Sequence, residues 1–354
     1  MKPILLIRLL LVVLLLPAAA KSQFKKNKGP VTSKNFTIEP IGKGVWAAIH
    51  NDHFGRAICN AGIIDLGDKV LIVDPFMTPQ SARELKYMAE EMTGKFVCMV
   101  INTHYHNDHI RGNQEFSNEA TIVSSEFTRK EIERIEPAEQ EWESKHAPGL
   151  LQAVKKRMAI ASNFEKEELA HWIGYYEGMM ESSRELKMTL PNITFRDSLW
   201  ITGRDRSVKL IELKGHTQSD LILIIPDDGI VFMGDLLYND RHPWLADGNP
   251  LDWQASLKFV YEDPSLITYV PGHGPVGGKE PVQKLYSYLQ SINDLALTAT
   301  SDSLRMLVSQ SQIPDEYMNW RFGRFYQPNL QYLCERQFKG EARLEDKKKK
   351  GSGH

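Results

Sequence analysis

The spacing of apolar and polar positions divides the chain into strand-like and helix-like stretches. After a polar lead, "GVWAAIHNDHFGRAICNAGIIDLGDKVLIVDPF" (44–76) reads as three short strands separated by turn residues. "TPQSARELKYMAEEMTG" then predicts a helix, with Thr78 as N-cap, Pro79 in the first turn and Gly94 closing it. "KFVCMVIN" (95–102) is a continuous apolar run bounded by polar signals, the mark of a strand covered on both faces. Strand, helix and buried strand make a crossover unit.

Residues 124–190 differ. They are rich in Glu, Lys, Met and Trp, and "LLQAVKKRMAIA" and "EELAHWIGYYEGMMESSREL" have helical spacing, which predicts two or three inserted helices. Strands resume at "ITFRDSLWI", "SVKLIELKG", "DLILIIPDDGIVFMGD" and "LITYVPGHG". They alternate with helices at "DWQASLKFVYE" and "PVQKLYSYLQSINDLAL". Two β-rich halves flanked by helices predict an α/β fold: a four-layer αββα sandwich with a helical insertion at about 124–190.

The first residues carry a different pattern. "MKPILLIRLLLVVLLLPAAAKSQF" places Lys2 and Arg8 ahead of an uncharged leucine-rich run and then small residues, the layout of a secretory signal peptide. Cleavage is expected after Ala20 or Ser22. Leu9–Ala20 is too short to span a bilayer comfortably, and no cysteine follows it to carry a lipid. The expectation is a secreted or periplasmic protein with no stable membrane anchor after cleavage.

Composition narrows the class further. The net charge is −2, and removing Lys2 and Arg8 brings it to −4, which does not suggest nucleic-acid binding. The basic cluster "DKKKKGSGH" at the end reads as a solvated tail. Three cysteines cannot all pair within the chain, and Cys59 and Cys98 sit in apolar runs where buried thiols are expected.

The chemistry concentrates in "VCMVINTHYHNDHIRGNQEF" (97–116), which crowds His104, His106, Asp108 and His109 into six positions at a strand exit. With 11 histidines in 354 residues, the pattern HxHxDH arises by chance in roughly one chain in a thousand. A loop leaving a buried strand can turn several of these side chains toward one point, and imidazole with carboxylate suits zinc. Downstream, His216 in "LKGHTQSD", Asp235 in "IVFMGDLL" and His273 in "YVPGHGPVGG" each sit at a further strand exit. Each alone is more often structural; together with the first motif they complete a two-metal ligand set.

The order "THYHNDH", "GHT", "GD", "PGHG" resembles the metallo-β-lactamase superfamily of zinc hydrolases, over roughly residues 38–290. "VLIVDPF" resembles the family's early strand ending in a structural aspartate, here Asp74, which supports the histidine loop. The resemblance implies an αββα sandwich with two zinc ions at one edge of the sheets. His104, His106 and His216 would hold the first zinc and Asp108, His109 and His273 the second, with Asp235 bridging as in glyoxalase II-type members. No cysteine lies near Asp235 in sequence, a departure from the lactamase subclass with a cysteine ligand there. Histidine-rich lactamases, lactonases and thioesterases all stay in play.

The implied arrangement is a metallo-hydrolase domain at 23–300, a C-terminal helical extension at 301–345 and a disordered basic tail at 346–354. Two metals sharing a water lower its pKa toward neutrality, so no serine or cysteine nucleophile is needed. Asp108 would ligate the second metal and orient the attacking hydroxide. Asn113 would either reach a substrate oxygen or cap a helix. "YNDRHPWLADGNPLDW" would wall the pocket with Tyr238, with Arg241 pairing a substrate carboxylate, or form a surface loop. Trp172, Tyr175, Tyr176 and Met179 are expected to form the inserted helices' own core; the alternative has them overhanging the site. The leading expectation is an exported hydrolase opening a β-lactam. Behind it stand a lactonase, ester or thioester hydrolase acting on a small-molecule substrate, and a non-catalytic zinc-binding protein.

Overall fold

The structure, a computed structural model, describes residues 32–300 and 304–337. The expected leader at 1–22 and tail at 346–354 lie outside those residues. Seven strands form the first sheet: β1 (Phe36–Gly42), β2 (Val45–His50), β3 (Ala61–Asp65), β4 (Val70–Val73), β5 (Val97–Ile101), β6 (Thr121–Ser125) and β7 (Ile193–Phe195), adjacent in that order. β1 to β4 pair antiparallel and β4 to β7 parallel. Helix α1 (Pro79–Thr93) links β4 to β5, capped by the Thr78 side chain and closed by Gly94 at φ 68. A single turn, α2 (Asn107–Ile110), follows β5, and two long helices, α3 (Glu126–Met158) and α4 (Asn163–Ser182), separate β6 from β7.

Five strands make the second sheet: β8 (Ser198–Thr202), β9 (Ser207–Leu213), β10 (Asp220–Ile225), β11 (Ile230–Phe232) and β12 (Thr268–Val270), in the order β12-β11-β10-β9-β8. Only β11 and β12 run parallel in it. Helices α5 (Pro250–Glu262), α6 (Lys279–Leu297), α7 (Leu304–Gln310) and α8 (326–337) complete the described chain. Among the described residues no helix is long and apolar enough to cross a membrane.

The layers follow from alternation along single strands. In β4, Leu71 and Val73 join the core between the two sheets, while Val70 and Ile72 face Leu85 and Met88 of α1. In β10, Leu221, Leu223 and Ile225 point inward, while Ile222 and Ile224 join the core formed with Leu257 of α5 and Leu285 of α6. A strand covered on both sides must be apolar throughout, which explains the unbroken runs in the sequence. The result is the αββα sandwich.

Two local expectations need correcting, and a third is narrowed. The polar lead contains β1, an edge strand whose mixed burial hides the alternation. "ITFRDSLWI" is not one strand: the chain turns at Asp197 (φ 63), so that β7 closes the first sheet and β8 opens the second. The insertion contains two helices, because α3 continues through Pro137 and Pro148; each proline forfeits one backbone hydrogen bond without ending the helix.

Candidate metal centre

The strand exits of both sheets converge at one end of the sandwich, and the loops there carry every histidine and aspartate of the predicted ligand set. Asp74 ends β4 in the left-handed region (φ 52), which turns its carboxylate back toward the loop after β5. There Asp74 Oδ1 accepts the Thr103 backbone N–H at 2.8 Å, and Oδ2 accepts the Thr103 hydroxyl at 2.7 Å. Asp74 Oδ2 also accepts His109 Nδ1–H at 2.8 Å. Burial pushes the Asp74 carboxyl up; His109 and Thr103 oppose that shift.

These bonds fix the ring protons. The Thr103 hydroxyl gives its hydrogen to Asp74, so at 3.0 Å its oxygen accepts from His104 Nδ1–H. His216 Nδ1–H donates to the Trp244 carbonyl at 3.1 Å, and His106 Nε2–H donates to Asp247 Oδ2 at 3.2 Å. An oxygen acceptor on one ring nitrogen leaves the other as a bare lone pair in the neutral ring. The four inward atoms are therefore His104 Nε2, His106 Nδ1, His109 Nε2 and His216 Nε2. Burial holds His104 well below its ordinary pKa and pushes His216 down to about 3, so both stay neutral.

The inward atoms crowd together. His106 Nδ1 lies 3.1 Å from His104 Nε2 and 2.8 Å from His216 Nε2. Asp235 sits between this trio and a second group. Its Oδ2 is 3.4 Å from His216 Nε2 and 3.3 Å from His273 Nε2, and its Oδ1 is 3.1 Å from His109 Nε2. Asp108 Oδ2 lies 3.6 Å from His109 Nε2 and 3.4 Å from His273 Nε2. Burial would raise the Asp235 carboxyl, but His273 and His109 outweigh it and keep the group ionised.

Converging lone pairs repel unless a cation lies among them. Asp235 Oδ1 and His109 Nε2 are both buried without a hydrogen-bond partner, a costly arrangement for polar atoms. Donor atoms of His104, His106, His216 and Asp235 fall within 4.8 Å of one another, as do those of His109, Asp235 and His273. The donor atoms form two adjoining groups suited to metal, both containing Asp235, and the rings of His104, His106, His109 and His216 are each oriented by an outer partner, as ligand histidines require. Backbone proximity fits too: a Cβ on Gly272 would stand 1.9 Å from Asp235 Oδ1, so only glycine admits the carboxylate.

A cavity of about 750 Å³ opens over Asp108, Asp235 and His273. Trp142, Trp172 and Tyr175 of the inserted helices line it, with Phe322 and Phe325 from the segment before α8. Trp172, Tyr176 and Met179 are buried in a core with Ala147 of α3, Tyr175 packs against it, and all four also line the cavity, so the packing and the overhang expected as alternatives occur together. Helix α4 comes this close because Gly174 lies against the Gly55 carbonyl, where a Cβ would stand 2.3 Å from the oxygen.

The peripheral residues differ from expectation. Asn113 is fully buried, and its amide pairs reciprocally with Asn102 at 2.9 Å and donates to Thr189 O at 3.1 Å. No group of it remains for substrate. Arg241 is also taken: it pairs with Asp52 and donates to the Asn239 carbonyl at 3.0 Å, and it lines a smaller pocket with His50 and Asp52 instead of the large cavity. Tyr238 does line the cavity, its ring stacked on His273 at 5.0 Å, but its hydroxyl is given to Asp235.

Other residues could not be found from the motif. Arg111 is buried and binds Glu136 at 2.6 Å and Glu143 at 2.7 Å, both on α3, so it ties the ligand loop to the insertion. Asn107 donates to Glu143 at 2.9 Å and reinforces the tie. Cys59, predicted as a core thiol, is buried but adjoins the centre: it donates to the Asp108 carbonyl at 3.0 Å and groups with Asp108 and His109. Burial pushes this thiol up to about 12. Cys98 is only half-buried.

Comparison with known proteins gives concordant relatives. Residues 54–273 match the family model of the metallo-beta-lactamase superfamily. A linear primary-alkylsulfatase of Pseudomonas sp. is 23% identical over 264 residues, covering 72% of this chain and 48% of its own. The chain thus spans about half the length of that relative. A type 2 metallo-beta-lactamase of Bacillus sp. is 25% identical over 252 residues, covering 69% of this chain and 78% of its own. Among solved structures, a metallo-beta-lactamase from Pontibacter korlensis superimposes with a TM-score of 0.52 at 15% identity. It covers 72% of this chain and 99% of its own, a likeness of fold.

Proposed function

This chain belongs to the metallo-beta-lactamase superfamily of hydrolases, and on that premise we propose that it is an exported two-zinc hydrolase of a bulky, largely apolar small molecule, a β-lactam first. The observation that carries this reading is the aromatic cavity of about 750 Å³ opening directly onto Asp108, Asp235 and His273. Apolar walls over convergent polar groups are the usual form of a small-molecule site. When bound, zinc would polarise the scissile carbonyl and make water nucleophilic near neutral pH.

The chain's own residues do the rest. Asp108, half in the cavity, holds one metal and accepts a hydrogen bond that orients the attack. Tyr238 steadies Asp235, and the tryptophans exclude water around the bound molecule. The Bacillus relative named for β-lactam hydrolysis supports an amide substrate, and the leader pattern at 1–22 supports export. An ester is the second reading. Asp235 at the bridging position favours it, as does the relative named as an alkylsulfatase.

Turnover of a chromogenic cephalosporin and of p-nitrophenyl butyrate by zinc-loaded protein separates these readings. Cephalosporin cleavage lost in EDTA and restored by zinc supports the first. Ester cleavage with both cephalosporin and a carbapenem untouched transfers the assignment to the second.

A further inference from the structure

Outside the ligand set, His50 at the end of β2 and Asp52 just after it meet His171 of α4, which lines the large cavity. His50 Nδ1 accepts the Ile58 backbone N–H at 2.9 Å. A nitrogen that accepts carries no proton, so the proton of His50 is on Nε2. That atom faces His171 Nδ1 at 3.1 Å and donates to it. His171 Nδ1 is also 3.4 Å from Asp52 Oδ1, but one ring nitrogen cannot donate to Asp52 while accepting from His50. The Ile58 N–H settles the direction, because it fixes where the His50 proton must be. His171 is then obliged to carry its proton on Nε2.

His171 is buried and lines the large cavity. Phe322 stands 4.7 Å from the His171 ring and 5.7 Å from the His273 ring, so His171 is on the His273 side of the centre. Burial lowers the pKa of both His50 and His171, which keeps the pair neutral, with Asp52 opposing in each case. Asp52 in turn is held by Arg241 and, at 3.4 Å, by Arg321.

We propose that His171 presents its Nε2–H into the cavity as a hydrogen-bond donor for an oxygen of the bound substrate, with His50 as the positioning residue that sets its tautomer. The substrate class this selects carries an oxygen acceptor that can reach His171 from within the cavity. The inference rests on the reading of the cavity as a hydrolase's substrate site.

The test uses zinc-loaded protein labelled with ¹⁵N-histidine, with phenylphosphonate as a tetrahedral oxyanion probe. The expected result is Nε2–H on both His50 and His171, and a shift of the His171 Nε2–H signal on saturation. Affinity should fall about tenfold in His171→Phe and be largely kept in His171→Gln. In His50→Ala the His171 proton should move to Nδ1, toward Asp52, a change that loss of packing alone would not cause. A proton on Nδ1 of His171 in the unaltered protein would overturn the inference. So would phenylphosphonate that binds with the signal unmoved and with equal affinity in His171→Phe; that outcome leaves the substrate-site reading standing. Zinc-loaded protein that binds no phenylphosphonate would overturn both.

Discussion

His106 Nδ1 lies 2.8 Å from His216 Nε2, two bare lone pairs in contact. Their other nitrogens are committed, to Asp247 Oδ2 and to the Trp244 carbonyl, so neither neutral ring can turn a proton inward without abandoning an oxygen. The same logic holds for His104 through Thr103 and for His109 through Asp74. The hydrogen-bonded frame thus prepares a centre that is stable only around positive charge.

In the proposed function, Asp108 is the residue through which binding and attack meet. Asp108→Asn keeps the size and removes the charge beside His273 and His109. Hydrolysis should fall by at least about a hundredfold, with the circular dichroism spectrum unchanged and zinc content reduced toward one equivalent. A folded variant turning over at the original rate would remove Asp108 from the mechanism.

Arg111 should matter for stability without touching substrate. Arg111 is 4% exposed and its guanidinium pairs with two glutamates of α3, which Arg111→Met would leave uncompensated. The expected cost is about 3–5 kcal/mol, read as a lower denaturation midpoint. Triple replacement of Arg111, Glu136 and Glu143 by apolar residues of similar volume should recover most of it.

Acid should act through Asp52. Burial would raise its carboxyl, but the Arg241 guanidinium paired with it helps hold it well below the usual range. A depressed folded pKa contributes stability that is fully present above the unfolded value of about 3.9 and is lost as pH falls through the folded one. Below about pH 4 the Tm of the unaltered protein should fall faster than that of Asp52→Asn, with the two curves converging. At pH 7 the variant should be the less stable. Parallel curves from pH 7 to 2 would show that Asp52 carries no such linkage.

The sequence disclosed the parts of this molecule that repeat a local physical rule. Apolar runs such as "VLIV" and "DLILII" mark strands buried on both faces, and Thr78, Pro79 and Gly94 delimit α1 because caps act within one turn. The ligand residues were visible for a related reason: HxHxDH is compact, and the other three each follow an apolar strand. What stayed hidden depends on distant partners. Nothing around Asn113 announces Asn102 as the owner of its amide, and nothing near Arg241 announces Asp52. Cys59 reads as a core thiol because its neighbours are apolar, yet chain reversal after β2 carries it to Asp108. The tryptophans of the insertion pack and line a cavity at once, and residue spacing cannot separate those two uses.

The central claim is that two metal ions share Asp235 at this centre, and equilibrium dialysis against zinc tests it most directly. After EDTA treatment and exhaustive buffer exchange, the protein should bind two equivalents of zinc per chain. Asp235→Ala, which removes the shared carboxylate, should bind the second equivalent at least about tenfold more weakly. Saturation at one equivalent or none, with Asp235→Ala indistinguishable from the unaltered protein, would contradict the account.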